Sequence, residues 1–169
     1  TVNRIVCRKE NDWSVFRVDV NGNGEPVTVV GYSNAQPGER IKAQGVWKKT
    51  LWGLQFSAQS IISSKPTSKD GIIRYLSSGI ISGVGPKMAQ AIVDVFGEDT
   101  IKVLNENPDR LKEIKGIGKK KISNIQSGWE EQKSVSEIML FLNEHNISAS
   151  LCRRIYKKYE TKAIKIINT

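Results

Sequence analysis

Two Gly-apolar-Gly turns, each leading into an amphipathic helix, constrain the fold of this chain more than any other feature. The first is Ser82-Gly83-Val84-Gly85-Pro86-Lys87, and the second is Lys115-Gly116-Ile117-Gly118, which runs into Lys119-Lys120-Lys121. Glycine permits a positive φ and lets another backbone come close, and a helix N-terminus offers unpaired N–H groups and a positive dipole end. Two such turns about thirty residues apart form a tandem helix-hairpin-helix pattern that suits two phosphates of one nucleic-acid backbone.

We predict that backbone N–H groups at the two turns hold phosphates and that nearby lysines supply positive charge. Val84 and Ile117 are expected to anchor the turns by packing into the helical core. The alternative is that the glycines serve only the geometry of two helix turns, which leaves the lysines after both turns unexplained. The predicted DNA-binding residues are Gly83, Val84, Gly85, Lys87, Gly116, Ile117, Gly118, Lys119, Lys120 and Lys121.

Two nucleotide-binding motifs share these glycines but do not fit the sequence. No buried strand precedes Gly83-Val84-Gly85, as a dinucleotide fingerprint requires. A P-loop would need glycine in place of Glu113 and Ser or Thr in place of Lys120. The acidic residues near the turns form no recognisable metal-ligand set either, so we expect no metal and no nuclease site.

The composition favours a polyanionic partner. The chain has 26 Lys and Arg against 17 Asp and Glu, a formal charge of +9, which promotes salt-sensitive binding to nucleic acid. Cys7 and Cys152 are isolated, which argues against a disulfide framework or a zinc site and indicates a reducing, cytoplasmic location. No apolar run reaches the length of about 18 residues that a membrane span needs, so we expect no membrane association. The single histidine, His145, is interpreted as a residue at a helix end.

The first third of the chain alternates in the manner of short strands. Five of them are predicted within residues 2–62, with a hairpin turn at Asn21-Gly22-Asn23-Gly24. This pattern predicts an α+β protein in which a small five-stranded, OB-like β-barrel precedes an all-α tandem helix-hairpin-helix domain; an SH3-like barrel is the second choice. Only Ser33–Glu39 is available for the helix that usually lies between the third and fourth OB strands.

Three tryptophans fall near predicted turns of the barrel. Trp13, Trp47 and Trp52 are candidate base-stacking residues, and Lys48 and Lys49 would attract a backbone beside them. The competing interpretation is that these rings plug the ends of the barrel or pack against the helices.

From Lys69 onward the spacing is helical, with helices predicted at 69–81, 86–96, 99–106, 108–114, 119–131, 134–145, 149–158 and 161–168. The predicted domains are a barrel at 1–64, the tandem hairpins at 65–132 and a degenerate third hairpin repeat at 133–169. A shift of 63 residues places Asn146-Ile147-Ser148 on Gly83-Val84-Gly85, so the apolar scaffold of the third repeat survives without its glycines. Because this repeat stops early, we expect the chain to be part of a longer protein.

The ordered combination of these stretches resembles the N-terminal region of stand-alone RecD-like superfamily 1 DNA helicases, which are related to the exodeoxyribonuclease V alpha subunit. The resemblance covers essentially the whole chain and rests on stretches that include Asn11–Val18, Gly45-Val46-Trp47, Gly71–Gly79, the two turns, and Met139-Leu140-Phe141-Leu142. It implies a sequence-nonspecific DNA-binding module of a 5′ to 3′ helicase that acts in DNA repair and recombination. It further implies that ATP and Mg²⁺ belong to motor domains absent from this chain, which would itself have no enzymatic activity or cofactor.

Two alternatives stay open at the level of sequence. A Holliday-junction binder of the RuvA type has a similar architecture, but the third repeat and the missing barrel helix argue against it. A protein–protein docking module that braces a motor is the alternative from another functional class. The expected partners are DNA, as single strand, duplex or fork, and the motor domains of the same parent chain.

Overall fold

The computed structural model describes residues 1–20, 24–144, 151, 154–155 and 158–159. Its first part is a five-stranded sheet in the order β1-β2-β3-β5-β4. The pair β3–β5 is parallel, and the other neighbouring pairs are antiparallel. The strands are β1 (Val2–Arg8), β2 (Trp13–Val18), β3 (Val27–Tyr32), β4 (Arg40–Thr50) and β5 (Gly53–Ser64).

The sheet curls into a nearly closed barrel because the start of β1 is hydrogen-bonded to the segment that precedes β4. The Val2 N–H donates to the Glu39 carbonyl at 2.8 Å, and the Gly38 N–H donates to the Val2 carbonyl at 2.8 Å. Val2, Phe16, Val18, Val29 and Ala35 form the buried core inside. The predicted OB-like barrel is therefore confirmed, and the segment between β3 and β4 contains no helix, as its length predicted.

The second part of the described chain is helical. A helical turn of π type, Leu76–Ile80, follows the first helix, and short 3-10 helices occupy Gly97–Asp99 and Pro108–Glu113. The Ser68 hydroxyl oxygen caps the first helix by accepting the Gly71 N–H at 3.1 Å. The α-helices are α1 (Lys69–Tyr75), α2 (Pro86–Phe96), α3 (Thr100–Glu106) and α4 (Lys119–Glu144).

Four of the predicted helices differ from the structure. The helix predicted at 69–81 ends as an α-helix at Tyr75, because the π-type turn follows and Gly79 adopts a φ of 94°. The segment predicted as a helix at 108–114 is a 3-10 helix. The helices predicted at 119–131 and 134–145 are one continuous helix, α4, since neither Gly nor Pro interrupts Gln132–Glu144.

The predicted domain boundary at residue 132 lies within α4. Most of the predicted third repeat lies outside the described residues, including His145, Asn146-Ile147-Ser148, Cys152 and Arg153. Its apolar pattern and its boundaries stay predictions.

Aromatic packing and one linker lysine join the barrel to the helices. Tyr75 and Trp129 are buried in the helical core, with their rings edge to face at 6.2 Å between centroids. The ammonium of Lys65, which follows β5, contacts the Tyr75 hydroxyl and lies 5.5 Å from the Trp129 ring centroid. Burial lowers the pKa of Lys65, and the nearby Glu39 carboxylate of the barrel opposes that change. Both parts of the chain thus contribute to one buried cluster.

Candidate nucleic-acid interface

The first Gly-apolar-Gly turn links the π-type turn to α2. Gly83 has a φ of 81°, a region that L side chains rarely adopt. Val84 is buried in the helical core, and its N–H donates to the Ile81 carbonyl at 3.2 Å. Gly85 is the N-cap residue of α2, with an extended backbone, and its carbonyl accepts the Ala89 N–H at 2.9 Å. The turn is therefore held at its apolar residue, while both glycines stay exposed.

The second turn repeats this construction before α4. Gly116 has a φ of 83°, which matches Gly83 of the first turn. Ile117 is half-buried and packs against the helical core, as Val84 does. The Gly118 carbonyl accepts the N–H groups of Lys121 at 3.0 Å and Ile122 at 3.1 Å, so it opens the helix as Gly85 does. The predicted packing of Val84 and Ile117 is observed, and the two turns are structurally equivalent.

The surroundings of the glycines are open. A β-carbon built on Gly83, Gly85, Gly116 or Gly118 would meet no protein atom within 4 Å. Positive φ accounts for glycine at Gly83 and Gly116. It does not account for glycine at Gly85 and Gly118, whose φ angles lie outside the left-handed region. The second glycine of each turn leaves free space above a helix N-terminus, where the N–H groups of the first turn lack partners within the helix.

Lysines surround both helix starts. Pro86 takes the first position of α2, where its missing N–H costs nothing, and the exposed Lys87 follows. Lys119, Lys120 and Lys121 are exposed in the first turn of α4. A run of cations there opposes the helix dipole, so it weakens the isolated helix unless an anion binds nearby.

The acidic residue closest in sequence to the second turn is already paired. The Arg110 Nε donates to Glu113 Oε1 at 2.8 Å, and its Nη2 donates to Oε2 at 3.2 Å. This guanidinium holds the pKa of the Glu113 carboxyl below its ordinary value. Glu113 is thereby tied to Arg110, and it does not neutralise the lysines that follow at the turn.

The three barrel tryptophans occupy different environments. Trp13 is half-buried, and the Lys9 ammonium lies 4.9 Å from the centroid of its ring, so one face of the ring is already covered. Trp47 is 54 % exposed and meets Phe56 edge to face at 5.2 Å between centroids. Trp52 is 89 % exposed at the turn between β4 and β5. Plugging of the barrel ends therefore does not describe Trp47 or Trp52.

The apolar neighbours of Trp52 were not among the predicted site residues. Leu51 is fully exposed and Leu54 is 61 % exposed, although the sequence suggested only a turn at this point. A signal was present, since an adjacent Leu-Trp pair is unusual for a two-residue hairpin turn, in which Asn, Asp and Gly predominate. The structure thus has two separate groups of candidate residues: the two glycine turns of the helical part, and the aromatic residues at the β4–β5 turn of the barrel.

Within the described residues, no group of His, Cys, Asp and Glu side chains is arranged to hold a metal ion. Among the helices that the structure describes, none has the length and apolar character to cross a membrane.

Three family models match consecutive parts of the chain. Residues 1–66 match the OB-fold domain of the ATP-dependent DNA helicase YrrC, and residues 73–131 match the SAM-like helix-hairpin-helix tandem. Residues 131–169 match the helix-hairpin-helix domain of ATP-dependent RecD2 DNA helicases. Taken together, these matches support an N-terminal OB-fold and helix-hairpin-helix region of a RecD-like helicase. These are DNA-binding domains, and DNA is therefore the partner that they indicate.

Curated relatives agree with this family. The ATP-dependent RecD2 DNA helicase of Deinococcus radiodurans is 21 % identical over 171 residues, which cover 96 % of this chain and 24 % of the relative. The DNA ligase of Lactobacillus johnsonii is 31 % identical over 97 residues, 54 % of this chain and 14 % of the relative. The chain thus spans a quarter or less of the length of these relatives. No solved structure gave a significant match.

Proposed function

We propose that this RecD-like chain is a sequence-nonspecific DNA-binding module in which the N-termini of α2 and α4 hold two phosphates of one DNA backbone. Its parent protein would be an ATP-dependent 5′ to 3′ DNA helicase of repair or recombination in the cytoplasm. ATP and Mg²⁺ would act only in the motor domains of that parent. The module itself would have no catalytic residue and no cofactor.

The main support for phosphate binding comes from the second glycine of each turn. Gly85 and Gly118 need no positive φ, and a side chain there would meet nothing of this protein within 4 Å. Besides being a suitable N-cap residue, glycine at both positions leaves room for a partner that must come close to the backbone of a helix N-terminus. A phosphate oxygen is such a partner, since it accepts N–H donors and is favoured by the positive end of the dipole.

The lysines add charge without adding sequence recognition. Lys87, Lys119, Lys120 and Lys121 are exposed at the two helix starts. Cations of this kind bind phosphates and release counterions, so the affinity should fall steeply with salt concentration. Phosphate contacts position a protein on DNA but carry no base information, which supports recognition of DNA form rather than sequence.

The test is fluorescence anisotropy with labelled single-stranded, duplex, forked and four-way DNA over a salt series. Gly85→Val and Gly118→Val are each expected to weaken duplex binding about tenfold, because each blocks a charge-assisted contact. Ser68→Ala is the matched control: it removes the cap of α1, at a cost of about 1 kcal/mol, away from both turns. Circular dichroism of each variant would establish that it remains folded.

The outcomes separate this function from its alternatives. Unchanged affinity in both glycine variants would remove the turns from DNA binding. Strong preference for four-way DNA, together with tetramer formation, would favour a RuvA-type junction binder. Failure to bind any DNA at low salt would favour a docking role for the module.

A further inference from the structure

The β4–β5 hairpin extends beyond the part of β5 that pairs with the neighbouring strand β3. β3 pairs with β5 only at Gln55, Phe56 and Ser57, whereas β4 pairs with β5 out to Thr50 and Gly53. At about 3.3 Å per residue, the turn projects about 10 Å beyond the end of the pairing with β3. The Thr50 hydroxyl braces this turn, because it donates to the Gly53 carbonyl at 3.0 Å and accepts the Trp52 N–H at 3.1 Å.

The projecting end of this hairpin, which we call the hairpin tip (residues 46–54), is apolar and uncovered. Leu51 and Trp52 are 101 % and 89 % exposed at its end. Trp47 and Leu54 are exposed as well, and they share a face of the hairpin with Lys49, since Lys49 pairs with Leu54 across the strands and Trp47 pairs with Phe56. Clusters of exposed apolar side chains are a common feature of interaction sites.

Charge indicates which occupant fits the patch. From Arg40 to Ser64 the hairpin carries four basic residues, Arg40, Lys42, Lys48 and Lys49, and no Asp or Glu. Exposed aromatic rings beside lysines suit unpaired nucleotides, whose bases stack on the rings while their phosphates meet the cations. Apolar side chains are also the groups that proteins insert between base steps to unstack a duplex.

We infer that the hairpin tip is a wedge that stacks on the bases at a junction between duplex and single-stranded DNA. Trp52 and Leu51 contact the last base pair or the first unpaired base, and Trp47 and Lys49 contact the strand that leaves it. This inference rests on the proposed DNA binding and assigns that module a preferred form, forked DNA. The helical turns hold the backbone, and the hairpin tip recognises the place where pairing ends.

The test compares the 169-residue chain with its Trp52→Ala and Leu51→Ala variants on blunt duplex, forked duplex and single-stranded DNA of equal length. Ile62→Ala is the matched control, because Ile62 is 66 % exposed on the same hairpin at the end away from the tip. We expect the unaltered chain to bind the fork about tenfold more tightly than the blunt duplex, in line with one base stacked on an aromatic ring. Trp52→Ala should abolish this preference, Trp52→Phe should keep most of it, and Ile62→Ala should leave it unchanged.

A second readout follows the bases directly. 2-Aminopurine placed as the first unpaired base of the fork should dim when Trp52 of the unaltered chain stacks on it, and should stay bright with Trp52→Ala. Equal binding of fork and blunt duplex by the unaltered chain would overturn the wedge, and so would unchanged fork binding by Trp52→Ala, which would leave the tip to a protein partner. If Trp52→Ala weakened binding to blunt duplex as much as binding to the fork, the wedge would also be overturned, because the tip would then be a general phosphate contact.

The failure of the wedge and the failure of the helical turns are distinguishable. If blunt duplex is not bound at low salt but the fork is bound in a Trp52-dependent way, the turns fail and the wedge stands. If blunt duplex binding depends on Gly85 and Gly118 while the fork adds nothing, the turns stand and the wedge fails.

Discussion

Gly38 of the barrel lies directly against Gly71 of α1. A β-carbon built on Gly38 would lie 2.1 Å from the Gly71 carbonyl oxygen and 2.8 Å from the Tyr75 nitrogen. Gly38 also has a φ of 88° and donates its N–H to the Val2 carbonyl. The residue that closes the barrel is therefore also the one that contacts α1. The two parts of the chain therefore meet through backbone, which leaves no room for a side chain between them.

Gly38→Ala should lower the free energy of unfolding by about 3 kcal/mol, because it adds a backbone clash to the cost of about 1 kcal/mol for a positive φ. Gly79→Ala is the control: Gly79 has a φ of 94°, but a β-carbon there would meet nothing within 4 Å. That variant should lose about 1 kcal/mol. Urea denaturation measures both values. Equal losses would show that the packing between Gly38 and Gly71 yields without cost.

The two glycines of a hairpin turn should behave differently. Gly83→Ala is expected to cost about 1 kcal/mol of stability, because alanine must adopt a φ of 81°. Gly85→Ala needs no such conformation, but alanine is a poorer N-cap residue than glycine, so its cost should be about half as large. Thermal unfolding followed by circular dichroism compares the two. A larger loss in Gly85→Ala would contradict the division between a glycine that shapes the turn and a glycine that leaves room.

The exposed lysines at the start of α4 should set the salt dependence of DNA binding. Replacing Lys120 by Gln is expected to reduce the slope of log K against log salt by about 0.9 for each phosphate of duplex DNA that the variant no longer neutralises. Lys102→Gln on α3 is the control, since Lys102 is also exposed but lies outside both turns. Anisotropy titrations at several salt concentrations give both slopes. A change of slope in Lys102→Gln as large as in Lys120→Gln would indicate diffuse attraction instead of a specific phosphate site.

Glu39 should make stability depend on pH. Burial raises the pKa of its carboxyl above the ordinary value of 4.5, and the Gln36 N–H, Lys65, Ser63 and Arg8 offset this only in part. Glu39 therefore holds its proton more tightly in the folded state than in the unfolded state. Its contribution to stability is greatest below pH 4.5 and is lost as the pH rises through the raised pKa.

Glu39→Gln isolates this effect, because its amide oxygen can still accept the Gln36 N–H that Glu39 Oε2 accepts at 3.0 Å. The free energy of unfolding of the unaltered chain, minus that of the variant, should decrease as the pH rises from 4.5 towards neutrality. Denaturation at several pH values measures the difference. A difference that is constant or that increases over this range would contradict a raised pKa.

Local patterns in the sequence were enough to predict the five strands and the two turns. Alternation in the stretch Ser14–Val18 and helical spacing after Pro86 depend on interactions between near neighbours, and these elements were observed where predicted. The turns could be predicted as well, because glycine tolerates the positive φ that Gly83 and Gly116 adopt. The predicted break between residues 131 and 134 was wrong, since polarity alone does not end a helix without Gly or Pro.

The sequence by itself determined the order of the elements, the basic charge and the glycine turns, because each follows from residue chemistry over a few positions. Only the tertiary structure decided the exposure of Trp47 and Trp52, since whether a ring plugs the barrel or faces outward depends on how far β4 and β5 extend beyond β3. It also decided that Gly38 meets Gly71 and that Lys65 enters the helical core, because such contacts join residues distant in sequence. Burial is set by which surfaces pack together, and no short stretch of sequence contains both surfaces.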